Sequence, residues 1–179
     1  MYNRFCGQVS AAGISLERIE MEALEIAVGK ELKAQGWTLG LAESCTGGLI
    51  AHRVTNVPGS SEYFVGGVVS YADAVKHAVL GVRKETLLQH GAVSRQCALE
   101  MARGIRPLVG ADIGVAVTGI AGPGGGSEEK PVGLAWIAVV TPWGESVERY
   151  EWDGNRQENK NSAAEQALVL LFEAIESQV

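Results

Sequence analysis

The chain has 179 residues, which suits one domain long enough to bury a proper hydrophobic core. Fifteen basic residues against 21 acidic ones leave a formal charge of -6, a poor footprint for phosphodiester backbones, so no nucleic-acid partner is expected. Three cysteines, Cys6, Cys45 and Cys97, fit neither a disulfide framework nor a metal-ligand spacing, and no apolar run approaches the length of a membrane span, so a cytoplasmic protein without a membrane partner is expected.

Met1 to Ile14 lacks the basic-then-apolar pattern of a signal sequence, and residues 1–19 read as a loose tail before a single domain over 20–179. Ser15 is the expected N-cap of a helix whose apolar face carries Leu16, Ile19, Ala23, Ile26 and Ala27 and which ends near Gly36. Trp37 to Ala42 reads as a short strand, and Leu49, Ile50, Arg53 and Val54 then recur at helical spacing. Asn56 to Ser61 carries loop chemistry, and Tyr63 to Tyr71, rich in Val, reads as a buried strand. Asp73 to Leu80 and Lys84 to His90 read as short helices stopped by Gly81 and Gly91. Ser94 caps a longer helix through Ala98, Met101 and Ile105, ended by Pro107. Asp112 to Thr118 reads as a strand, and Gly119 to Pro131 is too rich in glycine for regular structure. Val132 to Val140 and Glu145 to Trp152 form a predicted antiparallel hairpin across Thr141-Pro-Trp-Gly144, and a last helix carries Ala163, Ala167, Leu170, Leu171, Ala174 and Ile175. This order predicts an α/β fold, a three-layer α/β/α arrangement with a mixed, mostly parallel central sheet that includes the hairpin.

The stretch Leu39-Gly-Leu-Ala-Glu-Ser-Cys-Thr-Gly-Gly48 places a hydroxyl and a thiol where a strand turns into a helix. Ser44 is a candidate nucleophile there, with the N–H groups of Cys45, Thr46 and Gly47 as oxyanion or phosphate donors and with Gly47 and Gly48 letting a ligand approach the backbone. The plainer reading makes Ser44 or Thr46 an ordinary N-cap. Ligands of open α/β sheets gather beyond the carboxyl ends of parallel strands, and three such ends carry Ser44, Tyr71 and Thr118. None of the three histidines stands in a triad motif, so Lys76, five residues after Tyr71, is the candidate base; a desolvated lysine assisted by a tyrosine hydroxyl substitutes in kind. Otherwise Lys76 is a solvated charge and Tyr71 a packing residue. Asp73 precedes Lys76 by three residues, and a carboxylate there opposes base function.

In the loop from Gly119 to Pro131, after Thr118, the free N–H groups beginning with that of Gly119, together with Ser127 and Lys130, suit an anion-binding nest, or else a plain connection; the spacing does not match a P-loop. Arg156 offers a fork suited to phosphate or carboxylate, or a solvated charge at a helix start. Trp136, Trp143 and Trp152 supply either an exposed aromatic surface for self-association or core, and a homodimer or higher homo-oligomer is expected on base rates.

Taken together, Ala42-Glu-Ser-Cys-Thr-Gly-Gly48, Val57-Pro-Gly-Ser-Ser61, the Tyr71 and Lys76 pair, Gly91-Ala-Val-Ser94, Thr118-Gly-Ile-Ala-Gly-Pro123 and Glu129-Lys-Pro-Val-Gly133 closely resemble the CinA C-terminal domain family. Its enzymatic members are nicotinamide-nucleotide amidohydrolases. The resemblance implies hydrolysis of the carboxamide of nicotinamide mononucleotide to nicotinic acid mononucleotide and ammonia, a step of pyridine-nucleotide salvage, with no metal and no cofactor. It implies Ser44 as nucleophile, Tyr71 and Lys76 as the residues that handle the proton, Thr118 lining the substrate and Arg156 as the family's late arginine. Many members carry Asn where this chain has Asp73, and Asp where it has Gly124. The larger CinA proteins add a pyrophosphatase-like N-terminal domain, for which 179 residues leave no room. Two alternatives stay open: Cys45 as the nucleophile, since a thiol at a helix N-terminus can have a lowered pKa, and a nonenzymatic nucleotide-binding or interaction module.

Overall fold

The computed structural model describes residues 23–178, so the predicted tail over 1–19 and the predicted helix start at Ser15, Leu16 and Ile19 lie outside the described residues. Within them the order is α1 (Leu24–Gln35), β1 (Leu39–Glu43), α2 (Leu49–Thr55), β2 (Phe64–Val69), α3 (Asp73–Leu80), α4 (Lys84–His90), α5 (Arg95–Val109), β3 (Ile113–Gly119), β4 (Leu134–Val140), β5 (Glu145–Glu151) and α6 (Arg156–Glu176). The five strands form one mixed sheet in the order β2-β1-β3-β4-β5. β1 is parallel to β2 and to β3, while β4 is antiparallel to β3 and to β5, so β4 alone runs against the other four.

The sheet lies between two helical layers. On one face Leu39, Leu41, Val115, Val117, Ile137 and Val139 pack with Leu24, Val28 and Leu32 of α1, Ile50 and Val54 of α2 and the Ala164, Leu168 and Leu171 row of α6. On the other, Ala42, Ala116 and Ala138 meet Leu80 at the end of α3 and Ala98, Met101 and Ile105 of α5. Small residues let α5 press close: a Cβ on Gly114 would stand 2.2 Å from the Ala102 carbonyl oxygen, and one on Gly104 would stand 1.8 Å from that of Leu80. That tight seating holds α3 against α5 and buries two of its residues, Lys76 and Leu80.

The structure corrects three expectations and decides a fourth between the two readings left open. α1 buries Leu24, Val28 and Leu32 most deeply; of the expected face Ala27 packs half-buried on the same core and Ile26 is half-buried, while Ala23 is exposed. Among the described residues β2 is not a buried strand but the edge of the sheet, paired on one side only, and Val65 and Val69 are exposed. Pro107 does not end α5, which runs to Val109 and is closed by Gly110; Ile105 and Val109 pack over Gly40 of β1, and that contact holds the last turn despite the missing N–H. Trp136, Trp143 and Trp152 form no exposed aromatic surface, since all three pack against the two cores, Trp143 beside Trp37 and Trp152 beside Tyr150. No helix of the described residues is long and apolar enough to cross a membrane.

Candidate active site

Because β1, β2 and β3 are parallel neighbours, their carboxyl ends meet at one edge of the sheet. The chain leaves β1 at Ser44, whose N–H is held by the Val117 carbonyl at 3.0 Å, and leaves β2 at Ser70, whose N–H donates to the Glu43 carbonyl at 2.8 Å. A cleft of about 270 Å³ opens there, lined among others by Ser44, Cys45, Tyr71, Asp73, Lys76, Thr118, Gly119 and Arg156. Residues 44, 76 and 118, far apart in sequence, thus share one wall of a small concavity at a sheet end, the usual place for a ligand in such folds.

The Ser44 turn is organised by a residue that the sequence did not single out. The Glu43 carboxylate is buried and accepts from the N–H groups of Gly48 at 2.8 Å, Ile50 at 3.2 Å and Ala51 at 2.8 Å, so it caps α2 from the strand side. Neither Ser44 nor Thr46 caps the helix, which frees the Ser44 hydroxyl for other work. The same bonds remove Gly48 as a donor to a ligand, and Gly47 donates to the Ser44 carbonyl. Among the described residues the N–H groups of Cys45 and Thr46 have no backbone acceptor, and they lie beside the Cys45 thiol. Gly47 and Gly48 serve conformation more than ligand approach, with left-handed φ values of 65° and 95° that turn the chain between β1 and α2. Thr46 does not line the cleft, and its hydroxyl is buried without a hydrogen-bond partner among the described residues.

Lys76 sits on the second turn of α3 and is 1% exposed, so the solvated-charge reading fails. Its ammonium donates to the carbonyls of Ser70 at 2.8 Å and Tyr71 at 3.3 Å, and the Asp73 carboxylate lies 3.7 Å away. All three partners are acceptors, and two of them are the backbone that leaves β2. Tyr71 is 60% exposed at the rim, which also removes it from the strand core. Its hydroxyl oxygen accepts from Arg156 Nη2 at 2.9 Å, and Arg156 Nη1 donates to the Gly122 carbonyl at 2.7 Å, so the guanidinium ties the rim to the glycine-rich loop. Thr118 is buried and donates to the Ala92 carbonyl at 2.9 Å, which fixes the loop between α4 and α5 as a further wall.

Two neighbouring groups sort differently from the sequence reading. Burial pushes the Cys45 thiol up to about 11, with the Cys45 and Thr46 N–H groups and Lys76 only partly offsetting that burial and Glu43 adding to it; the expected lowering at a helix start does not occur. Lys130 does not line the cleft, because its ammonium reaches across to the His90 carbonyl at 2.6 Å and pins the loop to the end of α4; the Ser127 hydroxyl is spent on the Lys130 N–H. The candidate nest therefore loses both its cation and its hydroxyl, although Gly124 and Gly125 still border the cleft. Glu43 was missed because its role depends on a carboxylate folding back onto amides five to eight residues later. The one trace in the sequence is an acidic residue ending an apolar strand just before a Ser-Cys-Thr-Gly-Gly turn.

A family model for the CinA C-terminal domain matches residues 21–175. The chain is 50% identical over 157 residues to a protein of Moorella thermoacetica named as competence-damage inducible, covering 88% of this chain and 38% of that one. It is 42% identical over 172 residues to a CinA-like protein of Desulfotalea psychrophila, covering 96% of this chain and 42% of that one. The chain thus spans about two fifths of the length of these curated relatives. Among solved structures, a CinA superfamily protein from Klebsiella pneumoniae superposes with a TM-score of 0.83 at 38% identity over 86% of this chain and 96% of that one. A competence/damage inducible protein from Agrobacterium tumefaciens does so with a TM-score of 0.80 at 44% identity over 86% of this chain and 93% of that one.

Proposed function

The chain belongs to the CinA C-terminal domain family, and from that premise we propose that it is an amidohydrolase that converts nicotinamide mononucleotide to nicotinic acid mononucleotide and ammonia through a serine acyl-enzyme. The observation that carries this reading is the meeting of Ser44, Lys76, Tyr71 and Thr118 in one cleft at the ends of three parallel strands. The Ser44 oxygen attacks the carboxamide carbon, and the N–H of Cys45, which lines the cleft, receives the oxyanion. Lys76 and Tyr71 carry the Ser44 proton to the departing nitrogen; because the Tyr71 oxygen already accepts from Arg156, its own proton is left pointing away from the guanidinium. Ammonia leaves, a Ser44 ester remains, and water attacks it to give the carboxylate and restore the hydroxyl. The Cys45 thiol takes no part, since a thiol held near 11 offers almost no thiolate at neutral pH.

The reading is tested by incubating the protein with nicotinamide mononucleotide and following ammonia together with the one-atom exchange of amide nitrogen for carboxylate oxygen by mass. Saturable, stoichiometric appearance of both products is the expected result. A second reading, a nucleotide-binding module without chemistry, is favoured by one observation: Lys76 is fully engaged by two carbonyls and Asp73. Saturable binding with no ammonia at any pH between about 6 and 9 would select it.

A further inference from the structure

Beside the reaction cleft lies a second cavity, of about 620 Å³, lined in part by Pro123, Val132, Gly154, Arg156, Gln157 and Lys160. The two cavities share Arg156, and the Gly122–Pro123 step of the glycine-rich loop stands between them. Lys160 follows Arg156 by one turn of α6, which puts both side chains on the same helix face. Its Nζ lies 3.8 Å from where a Cβ on Gly47 would stand, so the ammonium reaches over the Ser44 turn. No hydrogen bond or ion pair engages Lys160 among the described residues.

In a chain of charge -6 this cavity carries two cations and no carboxylate. The nearest acid in sequence, Glu158, has its carboxylate held by the Asn155 N–H at 2.8 Å, as part of the capping box of α6. Two other surface cavities include carboxylates in their walls, Glu145 and Glu173 in one, Glu158 and Glu165 in the other. The N–H groups at the start of α6 are taken by the Asn155 side chain, so the positive character comes from the two side chains and not from the helix end.

Building on the hydrolytic reading above, we propose that Arg156 and Lys160 together hold the phosphate of the nucleotide in this cavity, leaving the pyridine ring and its carboxamide for the cleft that contains Ser44. A phosphate monoester carries close to two negative charges at neutral pH and accepts three or more hydrogen bonds. The guanidinium supplies a fixed fork and the ammonium a mobile point charge, a pairing suited to such a group. The glycine-rich loop contributes shape only, its lysine being committed to His90.

Calorimetric titration of Ser44→Ala, which blocks turnover, with nicotinamide mononucleotide and with its dephosphorylated riboside tests the assignment. Adding Lys160→Ala is expected to weaken the nucleotide by about tenfold while leaving the riboside unchanged and the melting temperature intact, and Lys160→Arg is expected to restore most of the loss. Equal weakening of both ligands, or none of either, overturns the assignment. Two further readings separate it from the hydrolytic one. An enzyme that releases ammonia with the same KM for the nucleotide in wild type and Lys160→Ala overturns the phosphate subsite alone. Lys160-dependent binding of inorganic phosphate by a protein that releases no ammonia supports the subsite and overturns the hydrolysis.

Discussion

On the floor of the cleft, Ser44, Lys76 and Thr118 are buried and set in place by backbone partners, the Val117, Ser70, Tyr71 and Ala92 carbonyls, with Glu43 clamping three amides behind them. On the rim, Tyr71 and Arg156 are exposed and held by each other and by one loop carbonyl. Polar groups in a buried floor must all find partners, and once they do they are oriented before a ligand arrives. Rim groups keep the freedom to follow the ligand. Floor substitutions that break these bonds should therefore cost stability as well as turnover, whereas rim substitutions should leave stability almost untouched.

The sharpest way to break this contrast is Lys76→Met, which keeps the length of the side chain and removes its charge. It should lower kcat for ammonia release by roughly a thousandfold, and it should cost about 3 kcal/mol of stability because the Ser70 and Tyr71 carbonyls lose their donor. Next, Tyr71→Phe should lower kcat by about a hundredfold with almost no change in melting temperature, since the ring is exposed and only the hydroxyl is removed. Glu43→Gln sharpens the contrast from behind the site. Weaker acceptance from Gly48, Ile50 and Ala51 should cost roughly 2 kcal/mol by chemical denaturation and slow turnover by a smaller factor than either change above. The smallest effect belongs to Cys45→Ala, expected to leave kcat within about threefold. Iodoacetamide at pH 8 should likewise leave the activity in place, because a thiol whose pKa is raised to about 11 stays protonated until the pH approaches that value.

What the sequence could disclose was mostly punctuation and pattern. Gly81 and Gly91 close α3 and α4 at the residues read as their stops, and Ser94 caps α5 through the Cys97 N–H, because these are local rules of backbone conformation and hydrogen bonding. The convergence of Ser44, Tyr71 and Thr118 was legible for a related reason: parallel strands must end at the same edge. Features that depend on neighbours were not. The valines of β2 look like those of a central strand, and only the sheet order, which among the described residues puts no strand beyond β2, exposes them. Lys130 and Arg156 are both cations within a few residues of a glycine, yet one turns to His90 and the other to the cleft; that choice is made by the path of the 119–131 loop, which no periodicity encodes. Lys76 differs again, since its burial follows from how closely α3 seats on Gly104 of α5.

The central claim is that the hydroxyl of residue 44, and not the thiol beside it, forms the covalent link to substrate. Parallel measurement of ammonia release from nicotinamide mononucleotide by wild type, Ser44→Ala and Cys45→Ala tests it most directly, with melting temperatures taken alongside. Loss of roughly ten-thousandfold or more in Ser44→Ala at an unchanged melting temperature, with Cys45→Ala near wild type, is the predicted result. Ammonia release that survives in Ser44→Ala, or that disappears in Cys45→Ala, would contradict it.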